Sequence, residues 1–310
     1  MQIISWIIST LLQWYVWMPI VAVLMFLTWR NYRKIEDFTP VESVLLVLEI
    51  PRTNDKQELA AEQLFASLHG ILRDNKELRL SGGHQEHISF EIASVNGQIR
   101  FYVWVPKTLQ SFVEGQIYSQ YPTVQIHQAD EDYTEHERNH EVAYSTELTL
   151  TTDEFLPIRT FQNFEVDPLA GITGTLAKLE TTGEELWIQV LVRPIPDDWQ
   201  NAADRYINSI KNGRIFSLPG FGGSMQWLIG ILGALWQPPE QGVGQSTKIE
   251  LSDRDKTRIS EAEKKATKLG YEVKIRLVYM GESQTNAKLR MQALVGTFKQ
   301  FNSTNLNGFH

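Results

Sequence analysis

The stretch Ile88-Ser-Phe-Glu-Ile-Ala-Ser-Val-Asn-Gly-Gln-Ile-Arg-Phe-Tyr-Val-Trp-Val105 decides the fold. Apolar residues alternate with others in Ile88–Ile92 and again in Ile99–Val105, the period of a half-buried strand. Between them Asn96-Gly97 supplies two residues that tolerate positive φ, the chemistry of a two-residue hairpin turn. Two antiparallel strands are expected here. Upstream, Val44–Ile50 is an apolar run ended by Pro51 and reads as a buried strand. Asn54 and Gln57 stand at capping-box spacing ahead of a helical stripe of Leu59, Leu64, Leu68, Ile71 and Leu72. Downstream, Pro106 opens a helix with Leu109, Phe112, Val113, Ile117 and Tyr121 on one face, closed by Pro122, and Thr123–Gln128 is a further strand. The order β-α-β-β-α-β predicts a ferredoxin-like antiparallel sheet with both helices on one face, over residues 41–129.

Residues 130–142 are polar and mostly acidic, with Tyr133 the one aromatic side chain up to Glu141, and read as a linker. A second α+β sandwich domain is expected over 143–310. Its elements are strands at Glu147–Thr151 and Pro157–Phe161, a helix capped by Asp167, a strand at Glu185–Val192 and a helix from Asp197-Asp198 to Lys211. A charged helix over Ser252–Leu269, an alternating strand at Tyr271–Met280 and a last helix at Thr285–Phe301 complete it. An apolar insertion occupies 213–246. Within it Ile215–Trp236 carries no charge but is interrupted by Gly and Pro, so Trp227 and Trp236 are expected at a lipid or protein interface.

Ahead of these domains, Ile3–Trp29 runs 27 positions without a charged side chain and is followed by Arg30, Arg33 and Lys34. A helix of that length would be about 40 Å, more than a bilayer core of about 30 Å requires. Residues 1–40 therefore read as a transmembrane anchor with a basic flank, with Trp6 and Trp29 as interfacial anchors. The positive-inside bias places the amino terminus outside and the remainder in the cytoplasm, a single-pass arrangement with membrane lipid as a partner.

The chain carries 29 Lys+Arg and 37 Asp+Glu, three basic and two acidic of them within residues 1–40, so residues 41–310 have a formal charge of 26 − 35 = −9. An acidic body without a Lys/Arg cluster disfavours direct nucleic-acid binding. The absence of cysteine excludes disulfides, thiol nucleophiles and thiolate zinc sites. His136-Glu137-Arg138-Asn139-His140 matches H-E-x-x-H, the spacing at which two imidazoles on one helical face hold zinc while the glutamate activates water. A membrane-tethered metallopeptidase is the alternative this motif raises, but its acidic surroundings and the lack of a third ligand favour a solvated segment. Gly171–Lys178 does not meet the phosphate-loop pattern, and no G-x-S-x-G occurs. No catalytic residue and no cofactor are expected.

Several stretches carry a resemblance: Leu48–Lys56, Leu59–Gly70, Ile88–Ile92, Arg100–Pro106 and Gln116–Pro122 in the first half, then Asp167–Ile172, Tyr271–Leu277 and Gln300–Phe309. Together they resemble the amino-terminal region of membrane-anchored ATPases of candidate-phyla bacteria, similar to type IV secretion and conjugative DNA-transfer motors. In that family the region precedes a P-loop motor domain of the HerA–FtsK-like type. No phosphate loop occurs before His310, so no catalytic residue carries over. The resemblance implies a non-catalytic anchoring and assembly platform. Its partners would be further copies, other secretion subunits, or an ATPase motor domain in cis or in trans.

Overall fold

A computed structural model describes residues 14–36, 41–51, 59–80, 83–135, 140–179, 183–211 and 251–310. In chain order the elements are α1 (Trp14–Glu36), β1 (Ser43–Glu49), α2 (Leu59–Leu68), α3 (Asn75–Leu80), β2 (Ile88–Val95), β3 (Gln98–Pro106), α4 (Gln110–Gln120) and β4 (Gln125–Gln128). There follow β5 (Val142–Leu148), α5 (Leu169–Ala177), β6 (Glu185–Pro194), α6 (Asp198–Lys211), α7 (Asp253–Ala266), β7 (Tyr271–Gly281) and α8 (Gln284–Phe298). The chain divides into a small unit, residues 1–42 with 74–84, and a large one, residues 43–73 with 85–310.

In the small unit, α1 corrects the expected anchor. Among the described residues no helix is long and apolar enough to cross a membrane. The physical reason is the composition of α1: its uncharged part, Trp14–Trp29, is sixteen residues with Pro19 inside, and Arg30, Arg33 and Lys34 fill its last turns. A spanning helix needs about 20 predominantly apolar residues. Trp29 is half exposed and packs against Phe26, with ring centroids 6.1 Å apart. Trp6 lies outside the described residues. The transmembrane, single-pass, amino-terminus-outside arrangement is therefore not supported.

The large unit holds one seven-stranded antiparallel sheet in the order β4-β1-β3-β2-β6-β7-β5. This corrects the expectation of two separate sheets. The first four strands follow the split β-α-β connectivity, with β3 between β1 and β2. The Asn96-Gly97 turn has φ of 50° and 73°, the left-handed values a tight hairpin demands. The second half repeats the plan: β5 and β6 are separated in the sheet by β7, and α5 and α8 take the places of α2 and α4. Even the fourth strand has a counterpart, since the chain end returns to β5, with Leu150 bridging Phe309 and Thr149 and His310 exchanging backbone hydrogen bonds of 3.1 and 3.0 Å. Where the first half has its tight hairpin, the second has an excursion from β6 to β7 containing α6 and α7.

The halves join edge to edge through β2 and β6, from Ile88 opposite Val192 to Ser94 opposite Leu186. A pseudo-two-fold passes near the Glu91–Gln189 pair. Residue 129 follows β4 at one edge and residue 141 precedes β5 at the other, so the stretch read as a linker joins two strands of a single sheet. Pro157–Phe161 is not a strand; just before it the buried side chains of Phe155 and Leu156 pack with Ala203, Ile207, Ile259 and Ala262 of the α6–α7 pair. The expected insertion at 213–246, with Trp227 and Trp236, lies outside the described residues.

Among the described residues, four helices pack on the sheet, α2, α4, α5 and α8, and all cover one face. Leu46, Val103, Val105 and Ile88 meet Leu64, Leu68, Val113 and Ile117 in the first half. Leu186, Ile188, Leu277 and Tyr279 meet Leu176, Ala287, Met291 and Leu294 in the second. Among the described residues of the large unit no helix packs on the opposite face, and the candidate site lies on it.

Candidate functional site

Strand alternation dictates what the helix-free face carries, because successive side chains point to opposite sides. The register sets Val47, Tyr102, Glu91, Gln189, Arg276 and Glu147 in one row across five neighbouring ladders. The adjacent rows contain Leu45, Trp104, Ser89 and Leu191 on one side, and Ala93, Trp187 and Val278 on the other. The row on the helix side is almost wholly aliphatic, whereas this one mixes aromatic, acidic and amide groups.

Residues 129–135, with 140 and 141, lie on this face as a strap. Ala129 N–H donates to Leu45 O at 2.8 Å, fixing the start. Tyr133 is 5% exposed and forms the central rivet of this strap. Its ring stacks on Tyr102, with centroids 4.9 Å apart, and meets Trp187 edge-on at 5.0 Å. Its hydroxyl donates to Glu91 Oε2 and accepts from Gln189 Nε2 at 3.0 Å. Asp132 Oδ1 turns the chain just before it by accepting from Thr134 N and Oγ1 at 2.8 and 2.6 Å. Nearer the far edge, His140 Nε2 lies 3.7 Å from Glu185 Oε1, and Trp187 Nε1 donates to Glu185 Oε2 at 3.1 Å.

Beside the strap the face opens into a cleft of about 350 Å³. Ser89, Glu91 and Gln189 lie at its floor, Trp104, Trp187, Leu45, Leu191 and Val278 form its apolar sides, and His87, Asp132, Thr134 and Arg276 complete the lining. His87 stacks on Trp104 with centroids 4.8 Å apart. Burial holds the Glu91 carboxyl above its ordinary range, hydrogen bonding from Tyr133 opposes this, and the Asp132 charge adds to it. Burial beside that carboxyl also pushes the Tyr133 hydroxyl up, so Tyr133 remains a neutral donor. Although Ser89 Oγ is near Glu91, it is buried without a hydrogen bond of normal geometry.

The sequence reading assigned none of these residues to a site. The available signal was Tyr133, a single aromatic side chain in an otherwise polar stretch. Of the H-E-x-x-H motif, His136 and Glu137 lie outside the described residues, and His140 is engaged with Glu185. Among the described residues no group of three His, Asp or Glu side chains is placed to hold a metal ion. Gly171–Ala177 is the interior of α5.

Fold and cleft together define an α+β protein of two edge-joined halves with a strapped, partly open sheet face. The chain belongs to the family described as a domain of unknown function (DUF8128), whose profile matches residues 36–309. Comparison with curated proteins finds no match.

Proposed function

We propose that the chain is a non-catalytic assembly module of a secretion- or conjugation-type ATPase, and that it docks a partner segment on the helix-free sheet face. The observation that carries this reading is the asymmetry of the sheet. One face is sealed by four helices, while the other carries two tryptophans beside an open cleft and is covered only by the strap among the described residues. Aromatic side chains lining a concave surface are the usual anchors of protein recognition. The resemblance of both halves to the region preceding a HerA–FtsK-like motor supplies the partner, the motor domain itself. The acidic charge of residues 41–310 argues that the module does not grip nucleic acid.

The test is association of the full chain with the HerA–FtsK-like ATPase of the same cell, followed by sedimentation. Complex formation weakened by Trp104→Ala or Trp187→Ala, in proteins with an unchanged circular dichroism spectrum, supports the reading. No association, or association indifferent to both substitutions, refutes it. Duplex DNA retained by the chain alone at physiological salt would also overturn it.

A further inference from the structure

We infer that the cleft beside Tyr133 receives a guanidinium group, the arginine side chain of a docked partner segment. The inference rests on the docking reading above and names the chemistry of what docks. Glu91 is 6% exposed, and among the described residues no Lys or Arg side chain lies within ion-pair distance of it. A buried carboxylate with hydrogen-bond donors but no counter-charge is costly to the fold, and a cation delivered from outside offsets that cost. Ser89, 3% exposed, sits in the same floor with a hydroxyl that has no hydrogen bond of normal geometry. Such a group is either an expense to the fold or a waiting ligand contact, and its place in an open cleft favours the second.

The walls narrow the choice of cation. Trp104 and Trp187 present aromatic surface beside the carboxylate, and a planar guanidinium both stacks on an indole and donates in a fork to a carboxylate. Asp132 at the lining adds a second negative charge. Among the described residues Arg276 is the only Lys or Arg lining the cleft, and its Nε lies 4.0 Å from Glu147 Oε1. A volume of about 350 Å³ accommodates an arginine side chain.

The experiment titrates the full chain with N-acetyl-arginine amide, N-acetyl-lysine amide and the neutral isostere N-acetyl-citrulline amide, reading the indole N–H resonances of Trp104 and Trp187. The expected result is saturable shifts with the arginine amide, weaker ones with the lysine amide and none with the citrulline amide. Glu91→Gln should weaken arginine binding by about tenfold or more, since it removes a desolvated charge while keeping shape. Ser89→Ala is the second variant, with a smaller loss expected. Equal binding of arginine and citrulline amides, or arginine binding unchanged in both variants, overturns the inference. If the ATPase associates but the arginine amide does not bind, the guanidinium assignment falls and docking stands. If the amide binds but no ATPase associates, the reverse holds.

Discussion

Replacing Tyr133 by phenylalanine isolates one hydroxyl. The ring and its contacts with Tyr102 and Trp187 remain, while Glu91 loses a donor and Gln189 loses an acceptor. A hydrogen bond to a buried charged acceptor contributes about 2 kcal/mol, and a neutral one about 1 kcal/mol. The pH dependence follows from Glu91. Its folded-state carboxyl is raised above the ordinary 4.5, chiefly by burial, so its contribution to stability is fully present below 4.5 and is lost as pH rises through the raised value. Removing the Tyr133 donor raises that carboxyl further. The variant should therefore lose about 3 kcal/mol, the sum of both bonds, at a pH above the raised Glu91 value, and only about 2 kcal/mol at pH 4, below the ordinary value, where the carboxyl is neutral in both proteins. In urea, with a slope of ~2.5 kcal/mol per molar, the midpoint falls by about 1.2 M above the raised Glu91 value and by about 0.8 M at pH 4. Equal losses at the two pH values would refute the coupling to Glu91, and no loss at either would refute the strap as a stabilising element. Glu91→Gln, which keeps an acceptor for Tyr133 without a charge to bury, should be at least as stable as the parent at pH 7.

Asn307 is 1% exposed; its amide N–H groups reach the Asp153 and Leu156 carbonyls at 2.9 and 3.1 Å, and its carbonyl accepts from Thr152 N–H at 3.0 Å. Asn307→Ala should cost about 3 kcal/mol in thermal or urea unfolding. At Gly270 an added Cβ would stand 2.3 Å from Trp199 Nε1, so Gly270→Ala should destabilise by about 2 kcal/mol, read as a lowered melting temperature. Leu294→Ala, in the fully buried core under α8, should cost about 3 kcal/mol in the same assay. By contrast, Arg193→Ala breaks an exposed pair with Glu272 and should change stability by less than about 1 kcal/mol.

The first half of the sheet was legible because its strands alternate cleanly and its turn is written in Asn96-Gly97. The second half was harder to read. Val142–Leu148 is an edge strand with both faces largely exposed, so it lacks the alternation that marks a strand and was counted partly as linker. Leu156 lies just before the expected strand at Pro157–Phe161, but this apolar signal comes from packing on a helix pair. Nothing local in Ile88–Val95 or Glu185–Pro194 reveals that these strands pair with each other, since the contact joins residues about a hundred positions apart. The site inherited that blindness: Glu91, Gln189 and Tyr133 come from three distant segments, and their meeting depends on the β2–β6 seam and on the strap lying on the sheet. At the amino terminus, the described part of the long uncharged run is sixteen residues of α1 with Pro19 among them, and no described helix is long and apolar enough to cross a membrane.

The seam also sets a clock on synthesis. When β2 leaves the ribosome its outer edge has no partner until β6 has emerged, about a hundred residues later, which at 5–20 residues per second is roughly 5–20 s. Through that interval the nascent first half exposes a full row of backbone donors and acceptors, the template on which strands of other chains pair. A chain truncated between β4 and β5 would hold that state permanently, so aggregation of such a fragment would reflect its missing other half rather than a poorly chosen boundary.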